Sequence, residues 1–215
     1  MWNRLLWDPS QSLDDVLRDY CTYQFGPDAA PLMVDALKTM EKELETPVED
    51  NGGIRWYYEL VRDTRETVPD NLMRRDHRWR MHMQHAALGC HLQLRVRKEL
   101  DREARARAAL AGGLKSGNLD DAVRDAIAIL RESASTPEMD ALREEARVLG
   151  EETNALFGIR DVGYFRNDRT LRDLPGHIAT LENALAAKSR AEKRTLMQRC
   201  IDDTTKPTRA GNIFG

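Results

Sequence analysis

Aromatic side chains are scarce, at 6% of 215 residues against 32% charged ones. Strands favour β-branched and aromatic residues, whereas abundant Glu and Arg suit solvated helix faces, so the balance points to helices. Cysteine is scarcer still. Cys21, Cys90 and Cys200 are odd in number, far apart and outside any C-x-x-C arrangement, which argues against a disulfide framework or a zinc site. Cys21 and Cys90 lie in apolar helical surroundings and are expected to be small buried hydrophobes. No apolar run approaches the roughly 20 residues that cross a bilayer. Met1, Trp2 and Asn3 begin no basic-then-apolar leader, so the chain as written is expected in a reducing cytoplasmic setting, with no membrane partner.

Charge of one sign is also lacking. The formal net charge is −3, which gives no global pull toward nucleic acid or acidic lipid. Its distribution is uneven: residues 1–70 carry 7 basic and 15 acidic side chains, and Arg74 to Arg107 carries 10 basic and 4 acidic ones. The two stretches are of a size to neutralise each other.

What the chain does have is helical periodicity. Ser12 followed by Leu13, Asp14 and Asp15 reads as an N-cap with carboxylates in the first turn. A helix should follow with Leu13, Val16, Leu17 and Tyr20 on its apolar face, stopping at Phe25-Gly26-Pro27. Leu32, Met33, Ala36, Leu37, Met40 and Leu44 mark a second helix, and Ile54, Tyr57, Tyr58 and Val61 a third that ends before Pro69. From Asp70 to Gly112-Gly113 the pattern stays helical, with Trp79, Met83, Ala86, Ala87, Cys90 and Leu94 on one face, and this long segment is expected to organise the rest. Asn118 caps a helix with the stripe Leu119, Val123, Ala126, Ile127 and Leu130. Another starts at Thr136-Pro137-Glu138, carries Met139, Leu142, Ala146, Leu149, Thr153 and Leu156, and ends at Gly158. Residues 159–168 lack a helical period and read as a structured loop. A last helix is expected from about Thr170 to Cys200, with Pro175 near its first turn.

These segments imply an all-α antiparallel bundle of about seven helices with one long central helix and short loops. Residues 1–50 form an N-terminal helical segment, 51–203 the bundle and 204–215 a loose tail, with the boundary near Pro47 to Gly53.

Candidate chemistry is thin. His77, His82, His85 and His91 all fall on the long helix, and His82 and His85 share a face. Neither has a Glu three residues before it and H-E-x-x-H is absent, so no metal site and no cofactor is expected. The acidic pairs Asp120-Asp121, Glu144-Glu145 and Glu151-Glu152 could supply the two carboxylates of a glycosidase, but adjacent helical residues diverge by about 100° and do not face one another. No G-x-S-x-G, Walker-type or dinucleotide glycine motif occurs, and no catalytic residue is assigned. Arg95, Arg97, Lys98, Arg102, Arg105 and Arg107 are interleaved with Glu99, Asp101 and Glu103. That stretch reads as a solvated charged face in which pairing competes with nucleic-acid binding.

The segment Asn3-Arg4-Leu5-Leu6-Trp7-Asp8-Pro9-Ser10, followed by an acid- and aromatic-rich helix from Asp14 to Phe25 and the stop Gly26-Pro27, resembles a stretch of alpha-glucuronidase-like glycoside hydrolases. In those enzymes it joins a catalytic (β/α)8 barrel to a helical C-terminal domain. The likeness covers roughly a quarter of the chain; the rest is similar in helical character and in the aromatic and arginine content of the long helix. The resemblance implies a non-catalytic helical domain that supports a barrel, shapes a cleft rim or mediates dimerisation. The catalytic acids of such enzymes lie on barrel strands, and none carries over to a residue here.

Trp2, Leu5, Leu6 and Trp7 form an apolar cluster that is expected to need a partner. The resemblance makes that partner the missing catalytic barrel. The alternative is a free-standing helical protein that associates with a second copy of itself through the same four residues.

Overall fold

The computed structural model describes residues 10–43, 46–133, 135–159 and 172–206. Among them there is no strand, as the scarcity of aromatic residues implied. The helices are α1 (Leu13–Phe25), α2 (Ala30–Glu43), α3 (Gly52–Asp63), α4 (Asp70–Arg75), α5 (Arg78–Ser116), α6 (Leu119–Leu130), α7 (Pro137–Phe157), α8 (Leu174–Ala186) and α9 (Arg190–Thr204), with a 3-10 turn at Val48–Asp50. None is long and apolar enough to cross a membrane.

Nine helices stand among the described residues where about seven were expected, because two expected helices are each broken by a residue that starts the next one. Asp76 is extended (φ −136°, ψ 142°), and its carboxylate accepts the Arg78 N–H at 2.8 Å, which begins α5 afresh. Ala187 is likewise extended, and Ser189 Oγ accepts the Glu192 N–H at 3.1 Å to cap α9. The Ser-x-x-Glu spacing at 189 and 192 is the sequence signature of a helix start.

The chain divides into two compact units, described here separately. One takes the described residues of Met1–Gln93 and Pro137–Asn167, the other those of Leu94–Thr136 and Asp168–Gly211. The 39-residue α5 contributes to both.

In the first unit α2 packs on α1 and on α3, so the connection at Pro47 to Gly53 joins two helices that touch. Ser12 caps α1 by accepting the Asp15 N–H at 3.1 Å. Gly26 stops it at φ +92°, a conformation that costs a side chain-bearing residue energy. A Cβ there would also sit 2.9 Å from Pro69 Cδ. Val16, Phe25, Met33, Ile54, Tyr57, Val61 and Met83 fill the core. Leu13, expected on the apolar face of α1, is 51% exposed in its first turn. On α7, Met139, Leu142, Ala146 and Thr153 are buried, but Leu156 is 52% exposed.

In the second unit α8 packs on α6 and α9 around Ala106, Leu110, Val123, Ala126, Ile127, Leu181, Met197 and Cys200. Burial of each large aliphatic side chain contributes about 1.5–3 kcal/mol. The long helix continues past Gly112-Gly113, where it was expected to stop, because Gly113 makes room for α6: a Cβ at Gly113 would overlap Ala122 Cβ and lie 3.2 Å from Asn118 O. Gly113→Ala should therefore lower stability by about 1–3 kcal/mol, read as a reduced melting temperature. Adding Ala122→Gly should restore part of the loss, and a Gly113→Ala chain that melts as the wild type does would refute the close approach.

Candidate functional site

Three places gather polar side chains, two in the first unit and one in the second. The first is a groove between α3 and α7. Its floor is Met73, Trp79 and Met83, with Arg62 and Arg65 on one rim and Glu144, Glu145 and Val148 on the other. α3 is strongly amphipathic, with Ile54, Tyr57, Tyr58, Leu60 and Val61 buried, so Arg62 emerges at the edge of that face. Trp79 is fixed in the floor by donating its Nε1–H to Thr64 Oγ1 at 2.9 Å. The Arg65 guanidinium stacks over the indole, 5.2 Å from its centroid.

The acids of this groove are engaged. Tyr58 donates its hydroxyl to Glu145 at 2.9 Å, and burial, reinforced by that bond, pushes the phenol up to about 12. Glu152 pairs with Arg80 at 3.3 Å. Arg147 holds both Glu144 and Glu151, so two of the acidic pairs noted in the sequence each contribute one member to the same guanidinium. Tyr58 stays protonated at neutral pH and cannot act as a base, and the carboxylates serve as ion-pair acceptors.

The second place is a histidine cluster on α5. His82 and His85 share a face as expected, and both rings stand edge-on to Tyr57. The Tyr57 hydroxyl and His82 Nδ1 are hydrogen-bonded at 2.8 Å, and Phe25 stands edge-on to the same imidazole at 5.9 Å. Burial, helped by the Arg78 charge, pushes His82 down to about 4. Burial, and then His82, also lowers His85. His82 is the more enclosed of the two, at 8% exposed, and the larger shift belongs to His85, pushed down to about 3. The other two histidines lie elsewhere: His91 Nδ1 is 3.0 Å from Met139 O, and His77 packs on Phe157. No three His, Cys, Asp or Glu residues among those described are placed to hold a metal ion.

The third place was misread in the sequence. Glu99, Arg102 and Glu103, expected on a solvated charged face, are buried in the second unit. The reason is their register: Val96, Glu99, Glu103, Ala106 and Leu110 follow one another in steps of three and four, so the two acids lie on the stripe that faces the core. Arg172 neutralises Glu103, bonding Oε2 through Nε at 2.8 Å and again through Nη2. The same guanidinium donates to Lys206 O at 2.8 Å and Thr204 O at 3.2 Å, ending α9. His177 Nε2 lies 3.3 Å from Glu103 Oε1, off the line of a hydrogen bond, and Oε1 has no hydrogen-bond partner. The sequence offered one signal for this site, a charged pair in step with apolar neighbours; Arg172, 69 residues away, could not be read from it.

Arg95, Arg102, Arg105 and Arg107 of that stretch are also engaged. Arg95 pairs with Glu99 at 2.9 Å, and Arg102 donates to Leu130 O at 3.3 Å and to Glu132 O. Arg105 pairs with Asp101 and Glu132, and Arg107 donates to Thr204 O at 2.9 Å. All three cysteines are buried and none is in a disulfide. Burial pushes Cys21 up to about 12 and, with Asp203 and Glu103 adding to it, Cys200 up to about 11, so neither is a reactive thiolate at neutral pH. The sequence-expected interface, Trp2, Leu5, Leu6 and Trp7, lies outside the described residues, as does all but the first residue of the loop read at residues 159–168.

Fold and sites together define an all-α helical protein whose buried charges hold helices together and whose open groove carries charge of both signs. The chain matches no family model, no curated protein and no solved structure.

Proposed function

We propose that this chain is a non-catalytic helical domain of a glycoside hydrolase-like, carbohydrate-active protein, working beside a (β/α)8 barrel as a support, a cleft rim or a dimerisation element. The observation that carries the reading is the segment from Asn3 to Pro27. Its likeness to the barrel-exit region of alpha-glucuronidase-like enzymes is accompanied by a helix over Leu13–Phe25, capped at Ser12 and stopped at Gly26. Two further features support it. The acids of such enzymes stand on barrel strands, and the described residues form helices alone. Glu144, Glu151 and Glu152 are each held by an arginine.

The test is an assay of the purified chain on aryl glycosides and glucuronides. The reading requires no turnover above that of heat-unfolded chain. Saturable hydrolysis by the isolated chain, abolished by a substitution within it, would overturn it.

A further inference from the structure

We infer that the groove between α3 and α7 is a binding site for a small zwitterion, a free α-amino acid with a bulky apolar side chain. The cavity is about 340 Å³, near the lower end of the roughly 300–1,000 Å³ of small-molecule sites, so its occupant is small. Met73, Trp79 and Met83 in the floor and Val148 and Leu149 on the α7 side line it, and such a lining suits an apolar body. Val148 is 39% exposed at the edge, which leaves apolar surface for a ligand to cover.

The charges choose the polar end of the ligand. Three arginines and three glutamates line the groove, and four of the six are compensated within the chain: Arg62 by Asp63, Arg80 and Glu152 by each other, and Glu144 by Arg147. Among the described residues one charge of each sign is left. Arg65 lies over Trp79 and pairs with no carboxylate. Glu145 accepts the neutral Tyr58 hydroxyl on Oε2, which does not cancel its charge and leaves Oε1 for a donor. The two stand on opposite rims and do not pair with each other. Arg80 adds a second donor to the groove wall: it is 9% exposed, its Nε goes to Glu152 and its Nη1 to Met73 O, and its Nη2 donates to none of the described residues. An anion meets the uncompensated Glu145 and a cation meets Arg65, while a neutral apolar ligand takes water from both and replaces it with nothing. A zwitterion satisfies both. Its carboxylate accepts from the Arg65 guanidinium, its ammonium donates to Glu145 Oε1, and its side chain covers Val148 and the floor. An α-amino acid is a ligand of this small size that carries both charges on an apolar body.

This site is separate from Trp2, Leu5, Leu6 and Trp7 and does not depend on the glycoside hydrolase reading. Isothermal titration calorimetry of the whole chain with L-phenylalanine, L-leucine and L-tryptophan tests it. The strongest binder of the three should saturate at one molecule per chain. Its analogue without the ammonium group, its analogue without the carboxylate, and glycine, which lacks the apolar side chain, should each bind about tenfold or more weakly. Glu145→Gln should weaken the amino acid by about tenfold or more and leave the ammonium-free analogue as it was. Arg65→Gln should weaken the amino acid and the ammonium-free analogue alike, and spare the analogue without the carboxylate. These opposite patterns separate the loss of one charge contact from the loss of the fold, which would weaken every ligand together. Absence of saturable binding by all three amino acids overturns the inference. So does an amino acid bound no better than its two singly charged analogues, or one bound equally by the wild type and both variants.

Discussion

Acidification from pH 6.5 to pH 4 should cost the first unit about 3 kcal/mol of stability through one side chain, His82. Its folded value lies near 4 because the ring is enclosed and Arg78 is close, whereas an unfolded histidine titrates near about 6.5. As pH falls below the unfolded value, the unfolded chain takes up a proton that the folded chain refuses until about pH 4, so protonation favours unfolding across that window. At pH 7 and above the ring is neutral in both states and the penalty is absent. Each unit of displacement corresponds to about 1.4 kcal/mol, which sets the size of the effect. His82→Gln keeps a polar atom for the Tyr57 hydroxyl and cannot be protonated. Urea unfolding followed by tryptophan emission reports this unit, because all four tryptophans, Trp2, Trp7, Trp56 and Trp79, precede Gln93. The difference in stability between wild type and His82→Gln should shift in favour of the variant by about 3 kcal/mol between pH 7 and pH 4. Parallel curves would show that the ring is not held neutral.

The largest single loss in the second unit is expected from Arg172→Ala. Glu103 is 1% exposed, and removal of its guanidinium partner strands a carboxylate in the core, frees the Lys206 carbonyl and leaves the Thr204 carbonyl to Arg107 alone. Breaking a buried pair from one side costs about 3–5 kcal/mol. Removing both charges together, Glu103→Leu with Arg172→Met, avoids the stranded charge and should recover much of that, the remainder being the lost bonds to the end of α9. Tryptophan emission does not report this unit. Amide hydrogen exchange in α8 and α9 does: protection there should collapse in Arg172→Ala and return in large part in the double variant. Equal losses in the single and double variants would mean that the ion pair itself, rather than an uncompensated charge, sets the stability.

The histidine cluster and the buried ion pair differ in how far the sequence reveals them. Residue spacing along one helix shows that His82 and His85 share a face, but not that Tyr57 of another helix meets both. It cannot show that Arg172 returns to Glu103, because that contact depends on a route through residues far apart in the chain. The helices follow the same division. Apolar stripes such as Leu119, Val123, Ala126, Ile127 and Leu130 set α6 directly, since a stripe in water must be covered. The breaks at Asp76 and Ala187 escape a periodicity reading, because the apolar pattern continues across them and only a local capping bond marks the new start. Gly113 shows the reverse case. A glycine pair that reads as a helix end is instead where a second helix comes close enough that a single methyl group would not fit.

The groove was not legible at all. Arg62 and Arg65 on one helix and its exit, and Glu144 and Glu145 on another, look like ordinary solvated charges until α3 and α7 stand side by side.

The barrel partner expected at Trp2, Leu5, Leu6 and Trp7 is central to the proposed function, and photo-crosslinking tests for it most directly. With benzoylphenylalanine in place of Leu6, irradiation of the chain expressed in its own cells, followed by mass spectrometry of the adducts, should yield crosslinks to a (β/α)8-barrel glycoside hydrolase sequence, in the same polypeptide or in a separate one. Crosslinks solely between copies of this chain, or solely to proteins of other kinds, would contradict the account.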